Sequence, residues 1–285
     1  MKTKILMLAL LCLTAITGAA QRHGGKVIEE SMKSDILGKE KNYCVYLPKS
    51  YDKETERNYP VLYLLHGLTN NYKSWRDLGD IVPIANQIIN AGNANEMIII
   101  MPDAGTDYDG YFNCGDKWRY EDFFFTEFMP TVEKKYRIIA DKEHRAIAGL
   151  SMGGGGTLGY AMHHPELFSS AFAMSAYMGA RSMKESIGHK NERGETFTQS
   201  VIDNNCIVYL ENADEEKKAA LRTVRWFLDC GDDDFLFFQN VDYIKAMRMA
   251  RIPVQFRVRD GIHDWCYWQE SLFMALPFIS NGFGK

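Results

Sequence analysis

Short apolar runs rich in β-branched and aromatic residues alternate along this chain with longer segments whose apolar positions recur at helical spacing. The runs predict strands at 42–47, 61–65, 97–101, 145–150, 170–175, 224–229 and 254–258. Two stretches, 61–65 and 98–100, are apolar at every position, as strands covered on both faces must be. The longer segments predict helices at 81–90, 120–136, 154–163, 215–222, 237–250 and 267–276. Pro130 lies inside the second and should kink or split it, because proline lacks the N–H that the helix needs. Alternation of this kind predicts an α/β fold, a mostly parallel central sheet with helices on both faces. The first strands, before Leu65, have only turns between them, so they are expected to pair antiparallel.

Two segments break the alternation. Residues 106–119 set Tyr108, Tyr111, Phe112 and Trp118 among glycines and aspartates, and 177–213 is a long polar connection. Loops of this length in a compact domain are usually binding loops or lids. Both follow strands, so both should lie above the carboxyl ends of the sheet, where open α/β folds bind ligands. The second is read as a lid-like insertion.

The beginning of the chain has a different pattern. Lys2 and Lys4 precede an apolar run from 5 to 16, and the small residues Gly18, Ala19 and Ala20 follow. This layout is that of a secretory signal peptide cut between Ala20 and Gln21. The apolar run is shorter than the ~20 residues that span a bilayer as a helix. Secretion to the periplasm or beyond is expected, without stable membrane insertion. Removing the first 20 of 285 residues leaves 265, enough for one α/β domain over 21–285.

The whole chain carries 33 basic and 37 acidic residues, a net charge of −4, and loss of the two leader lysines makes it −6. With no basic tract, nucleic acid is not an expected partner. Cys44, Cys114, Cys206, Cys230 and Cys266 are odd in number and form no CxxC pair. Neither a zinc site nor a disulfide framework is indicated, and mostly buried free thiols are expected.

Candidate chemistry begins at Gly149-Leu150-Ser151-Met152-Gly153, between a predicted strand and a predicted helix. The Gly-x-Ser-x-Gly turn must be sharp enough to expose the serine Oγ, which leaves no room for side chains two residues either side. A serine hydroxyl needs a base to take its proton. In the strand–serine–helix arrangement the partners follow in the order serine, acid, histidine, and of seven histidines only His263 lies beyond position 189. The acid should fall at a strand end between them, where Asp232, Asp233 and Asp234 follow the 224–229 strand; spacing puts Asp234 only modestly ahead of the other two. Acyl transfer through a tetrahedral intermediate also needs two N–H donors. Met152, after the serine, supplies one, and Leu68, after Leu64-Leu65-His66-Gly67, is expected to supply the other. His66 precedes the serine and is read as a structural hydrogen-bonding residue.

Taken together, Leu64-Leu65-His66-Gly67, Met101-Pro102-Asp103-Ala104, Tyr120-Glu121-Asp122-Phe123, Gly149-Leu150-Ser151-Met152-Gly153-Gly154, Asp229-Cys230-Gly231 and Gly261-Ile262-His263-Asp264-Trp265 carry a resemblance. Through most of its length after the leader, the chain resembles the esterase D-like enzymes of the α/β-hydrolase superfamily. These include the feruloyl and acetyl-xylan esterases of carbohydrate esterase family 1 and S-formylglutathione hydrolase. The resemblance implies the α/β-hydrolase fold, no cofactor, and an acid three residues after the glycine of the Asp-x-Gly turn, which is Asp234. It also implies hydrolysis of an ester. The leader favours the secreted members, which act on feruloyl or acetyl esters of plant cell-wall polysaccharide. Tyr108, Tyr111, Trp118, Trp265 and Trp268 are candidates to stack on a sugar or phenolic ring; Trp265 and Trp268 stand three apart, which equally suits packing of a helix.

Other readings keep part of this chemistry. A general short-chain carboxylesterase or an S-formylglutathione hydrolase-like thioesterase would use the same triad. Transfer of the acyl group to a sugar hydroxyl would demand a long apolar tunnel, against which the polar 177–213 stretch argues. A non-catalytic carbohydrate-binding protein would be expected to lack one of the triad residues, and all three stand here. The expected partner is a small-molecule or oligosaccharide ester; the sequence says nothing of oligomeric state.

Overall fold

The computed structural model describes residues 24–105, 110–181 and 199–284. The predicted leader at 1–20, Tyr108, and 182–198 within the predicted lid-like insertion lie outside the described residues. Eight strands form one sheet in the order β1-β2-β4-β3-β7-β8-β9-β10. They are β1 (Lys26–Ser34), β2 (Lys39–Leu47), β3 (Val61–Leu65), β4 (Ile98–Pro102), β7 (Arg145–Leu150), β8 (Ser170–Met174), β9 (Arg225–Gly231) and β10 (Val254–Arg259). A separate two-residue hairpin, β5 (Asn113–Cys114) with β6 (Trp118–Arg119), stands in the aromatic segment that the sequence presents as a loop.

Within the eight-stranded sheet every neighbouring pair from β4 to β10 is parallel, and among the described residues β1–β2 and β2–β4 are its antiparallel pairs. This corrects the expected early pairing in one respect: β2 does not pair with β3, because β4 lies between them. Strand β1, absent from the sequence expectation, is an edge strand whose one partner among the described residues is β2. Its sequence KVIEESMKS is charged enough to read as a surface segment.

Strand alternation divides the core. Val61, Tyr63 and Leu65 of β3 point to one face and Leu62 and Leu64 to the other, each group within its own apolar cluster. The second face is covered by helices α1 (Ile81–Asn90) and α8 (Trp265–Ser280), which contribute Ile84, Ile88, Leu272 and Ile279. The first is covered by α2 (Tyr120–Phe123), α3 (Met129–Lys135), α4 (Met152–His163) and α7 (Phe237–Met249). Between α2 and α3 lies a π-helical turn, Phe124–Phe128. Pro130 sits in the first turn of α3, directly after this π-helical turn, and the backbone stays helical across the junction, so the segment changes its winding there instead of ending. Helix α8 runs past Pro277, beyond the expected end at 276.

The 177–213 segment departs from its polar-loop reading in its described part. Residues 199–203 are helical, α5 (Cys206–Asn212) follows, and Cys206, Ile207 and Leu210 are buried in the first-face core. Glu215–Leu221 forms α6, capped by the Asp214 side chain. Cys44, Cys206 and Cys230 are buried free thiols, Cys114 is buried, and Cys266 is an exposed free thiol.

Candidate active site

The carboxyl ends of β3, β7, β8, β9 and β10 meet above one end of the sheet. At the end of β7, Ser151 has φ 53° and ψ −117°, a conformation rare for a residue with a Cβ. Holding it costs ~1–3 kcal/mol, offset by backbone bonds on both sides. The Ser151 N–H donates to Met174 O at 2.9 Å, and the Ser151 carbonyl accepts from Gly155 at 3.0 Å and Tyr177 at 2.9 Å. The turn brings the start of α4 against β3. A Cβ on Gly153 would stand 2.5 Å from the His66 carbonyl oxygen and 2.6 Å from that of Leu65. Both obstacles are backbone, so Gly153→Ala is expected to lower Tm by several degrees and to displace the 66–68 loop. Thermal unfolding and residual esterase activity check this, and an unchanged Tm would contradict the packing.

His263 Nε2 is 2.9 Å from Ser151 Oγ, and His263 Nδ1 is 2.8 Å from Asp234 Oδ2. With Nδ1–H donated to the carboxylate, Nε2 is left as an acceptor facing the serine proton. Asp232 and Asp233 are exposed, and Asp234 alone of the three is buried. Burial by itself raises the carboxyl pKa of Asp234. Hydrogen bonds from His263, Ser175 and the Leu236 N–H outweigh that and hold it below the usual carboxylate value. The loops carrying acid and histidine are joined by backbone. Asp233 N donates to Gly261 O at 3.2 Å, Gly261 N donates to Asp232 Oδ1 at 3.1 Å, and Asp232 N donates to Arg259 O at 3.0 Å. Gly231 must be small there, since its Cβ would fall 2.6 Å from the Gly261 carbonyl carbon.

Met152 is the first residue of α4, so its N–H has no carbonyl one turn back to bond. Leu68 lies in the turn closed by Asn70 N donating to Gly67 O at 3.2 Å, and it lines the same cavity as Ser151 and Met152. His66 holds this loop. Its Nε2 accepts from Ala104 N at 2.9 Å, which leaves Nδ1 to donate to the Gly67 carbonyl at 2.8 Å. That is the structural role its position suggests.

Ser151 opens into a cavity of about 310 Å³. Its walls include Tyr111, Phe112, Trp118, Met152, Met178 and Val201, with Ser200 and Asn204 as polar members. Tyr111 and Trp118, both almost fully buried in this wall, are each fixed by a hydrogen bond: Tyr111 to His66 O at 3.0 Å, Trp118 Nε1 to Gly110 O at 2.9 Å. Trp265 differs. Asp264 caps α8, and the Trp265 ring at its first position packs edge-on against Trp75 at 5.2 Å and Trp268 at 5.3 Å. It is absent from the cavity walls among the described residues, so its surroundings are those of a helix-packing residue.

Two residues of the site escape the sequence reading. Phe235, next to the acid, lines the cavity and lies 4.5 Å, centroid to centroid, from the His263 ring. Ser175, buried at the end of β8, bonds the Asp234 carboxylate and accepts from Trp268 Nε1 at 3.1 Å. Ser175→Ala removes one donor from Asp234, concentrates its charge and favours the protonated imidazole. The acid limb of the kcat/KM profile is therefore expected to move to higher pH by up to about one unit, since a hydrogen bond contributes ~0.5–1.5 kcal/mol and a unit is about 1.4. A lowered rate with an unmoved limb would assign Ser175 to packing alone.

A serine, a histidine and a buried carboxylate at the carboxyl ends of a mostly parallel sheet, beside a helix N-terminus, define a serine hydrolase of the α/β-hydrolase fold. The chain belongs to the esterase family, whose model, described as putative esterase, matches residues 34–279. A solved structure described as a ferulic acid esterase is 46% identical, with a TM-score of 0.86 over 91% of this chain and 99% of its own. An endo-1,4-beta-xylanase/feruloyl esterase of Xylanibacter ruminicola is 35% identical over 87% of this chain. The chain spans only 30% of that relative's length. An S-formylglutathione hydrolase structure from Staphylococcus aureus shares the fold at 23% identity and a TM-score of 0.70, over 90% of this chain and 97% of its own. The protein is a serine carboxylic ester hydrolase.

Proposed function

We propose that the protein is an exported esterase that removes hydroxycinnamoyl groups, feruloyl above all, or acetyl groups from plant cell-wall polysaccharide. In this mechanism Ser151 Oγ attacks the ester carbonyl carbon while His263 Nε2 takes its proton. Asp234 holds the imidazole in the Nδ1–H tautomer and stabilises its charge. The N–H groups of Met152 and Leu68 bind the oxyanion. Collapse of the tetrahedral intermediate breaks the bond to the alcohol oxygen, which leaves with the proton from His263. Water then repeats the sequence on the acyl-enzyme and releases the carboxylic acid. Every group needed comes from the chain.

The observation that carries the substrate reading is the cavity at Ser151, apolar and walled by Tyr111, Phe112 and Trp118. Aromatic walls of this kind suit a planar acyl ring, and an edge or offset contact adds ~0.5–1.5 kcal/mol beyond burial. The likeness to the ferulic acid esterase supports the same reading. The 177–213 segment supplies Met178, Ser200, Val201 and Asn204 to the wall, and so contributes to acyl selection. The test is a hydrolysis screen over methyl ferulate, acetylated xylan, short-chain nitrophenyl esters and S-formylglutathione. The highest kcat/KM is expected on the feruloyl or acetyl-xylan ester; a peak on S-formylglutathione or on plain short alkyl esters would overturn the reading.

Export rests on the leader pattern of Lys2, Lys4, the apolar run and Gly18-Ala19-Ala20. N-terminal sequencing of protein recovered from outside the cytoplasm is expected to begin within a residue or two of Gln21. A start at Met1 would remove the argument for an extracellular polysaccharide.

A further inference from the structure

The geometry points to a sugar subsite on the alcohol side of the ester, in which the exposed ring of Phe235 stacks on the glycosyl group that leaves; this rests on the carbohydrate-ester reading above. The reaction itself divides the site. The carbonyl oxygen must lie toward Met152 and Leu68, whereas the alcohol oxygen must lie where His263 Nε2 can protonate it. The body of the alcohol therefore extends over the surface beside the imidazole. Phe235 stands at the exposed rim of the acyl cavity, where that surface begins, its ring 4.5 Å from the imidazole and inclined by 52°.

The exposure of Phe235 is built in. The Leu236 N–H donates to Asp234 Oδ1 at 2.8 Å and the Phe237 N–H to the Asp234 carbonyl at 2.9 Å, so the acid turns inward on a fixed loop. Phe235, the next residue, projects outward with 76% of its surface exposed. Apart from its contact with the His263 ring, this large apolar ring is left in water and offers an open face beside the reacting group. A pyranose or furanose ring presents a face of C–H bonds that packs on such a plate while its hydroxyls remain free. Asp232, Asp233 and Asp260, all exposed, lie on the loops that carry Asp234 and His263. Their charge suits a neutral, hydroxyl-bearing alcohol and disfavours an anionic one.

The test compares esters that share an acyl group and differ in alcohol: a feruloylated arabino-xylo-oligosaccharide against methyl ferulate, and an acetylated xylo-oligosaccharide against ethyl acetate. For the wild type, the sugar ester is expected to have the higher kcat/KM within each pair. Phe235→Ala is expected to shrink that ratio by roughly three- to tenfold, the span of one aromatic contact, mostly through KM, and Phe235→Trp to restore it. An equal loss on both members of a pair would mean that Phe235 acts only through His263, and would overturn the subsite. A wild-type enzyme without preference for the sugar alcohol would overturn it as well. Failure to cleave any feruloyl ester would instead sink the acyl assignment, and the acetate pair would still decide the subsite.

Discussion

Ser151→Ala is expected to lower kcat by about 10⁶, and His263→Ala by a comparable factor, because a nucleophile and its base act as one unit. The coupling rests on the 2.9 Å contact between His263 Nε2 and Ser151 Oγ. Without the base the hydroxyl keeps its proton and is a poor nucleophile; without the hydroxyl no acyl-enzyme forms. The double variant should therefore lose little more than either single one. What remains above the uncatalysed rate comes from the oxyanion donors and from binding, on the order of 10³–10⁴. Activity in the wild type should fall on the acid side with a slope of one proton, as the imidazole becomes protonated and can no longer accept from the serine. Burst kinetics on a chromogenic ester, together with the kcat of the three variants, measure this. Near-normal turnover by Ser151→Ala, or losses that multiply in the double variant, would end the nucleophile–base assignment.

How much of this was legible in the sequence depends on whether a residue's surroundings are local. The parallel strands read correctly because their periodicity is a local consequence of being covered on both faces, as in 61–65 and 98–100. The serine turn lies between β7 and α4, where the sequence places it, because the two glycines that it requires lie within two residues of Ser151. Strand β1 is not legible in this way, since an edge strand with one neighbour tolerates lysine and glutamate, and the placement of β4 between β2 and β3 is a long-range pairing. Ser175 is likewise a product of strand register. Only when β8 and β9 lie side by side does the end of β8 stand beside the acid loop, and nothing near Ser175 in the chain announces it. Phe235 and Trp265 make the complementary point. Both are aromatic and both neighbour a triad residue, yet the cap at Asp264 turns Trp265 onto Trp75, while the inward turn of Asp234 leaves Phe235 in the open. Composition cannot separate these two outcomes; the direction of one backbone turn does.

Asp234→Asn is expected to lower kcat by about 10³–10⁴, and Asp232→Asn and Asp233→Asn far less. The three adjacent carboxylates differ in what they touch. The Asp232 carboxylate accepts one N–H, from Gly261, and the amide oxygen of asparagine can accept the same bond. Asp233 is exposed, and its structural contact is through its backbone N–H, which the substitution leaves in place. Asp234 faces His263 Nδ1 at 2.8 Å with its side chain fully buried. An asparagine NH2 turned toward Nδ1 would donate where the imidazole must donate. The ring would then carry its proton on Nε2, pointing at Ser151, and could not act as the base. Asp234 also governs the pH behaviour in a definite direction. Its folded-state pKa lies below the ordinary value, so the stability it contributes is present above the unfolded-state pKa and is lost as pH falls through the folded one. Asp234 therefore stays ionised across the neutral and mildly acidic range. Steady-state kinetics of the three asparagine variants, with Tm measured beside them, test the assignment. A larger kcat loss in Asp232→Asn or Asp233→Asn than in Asp234→Asn would move the acid to another residue of the loop.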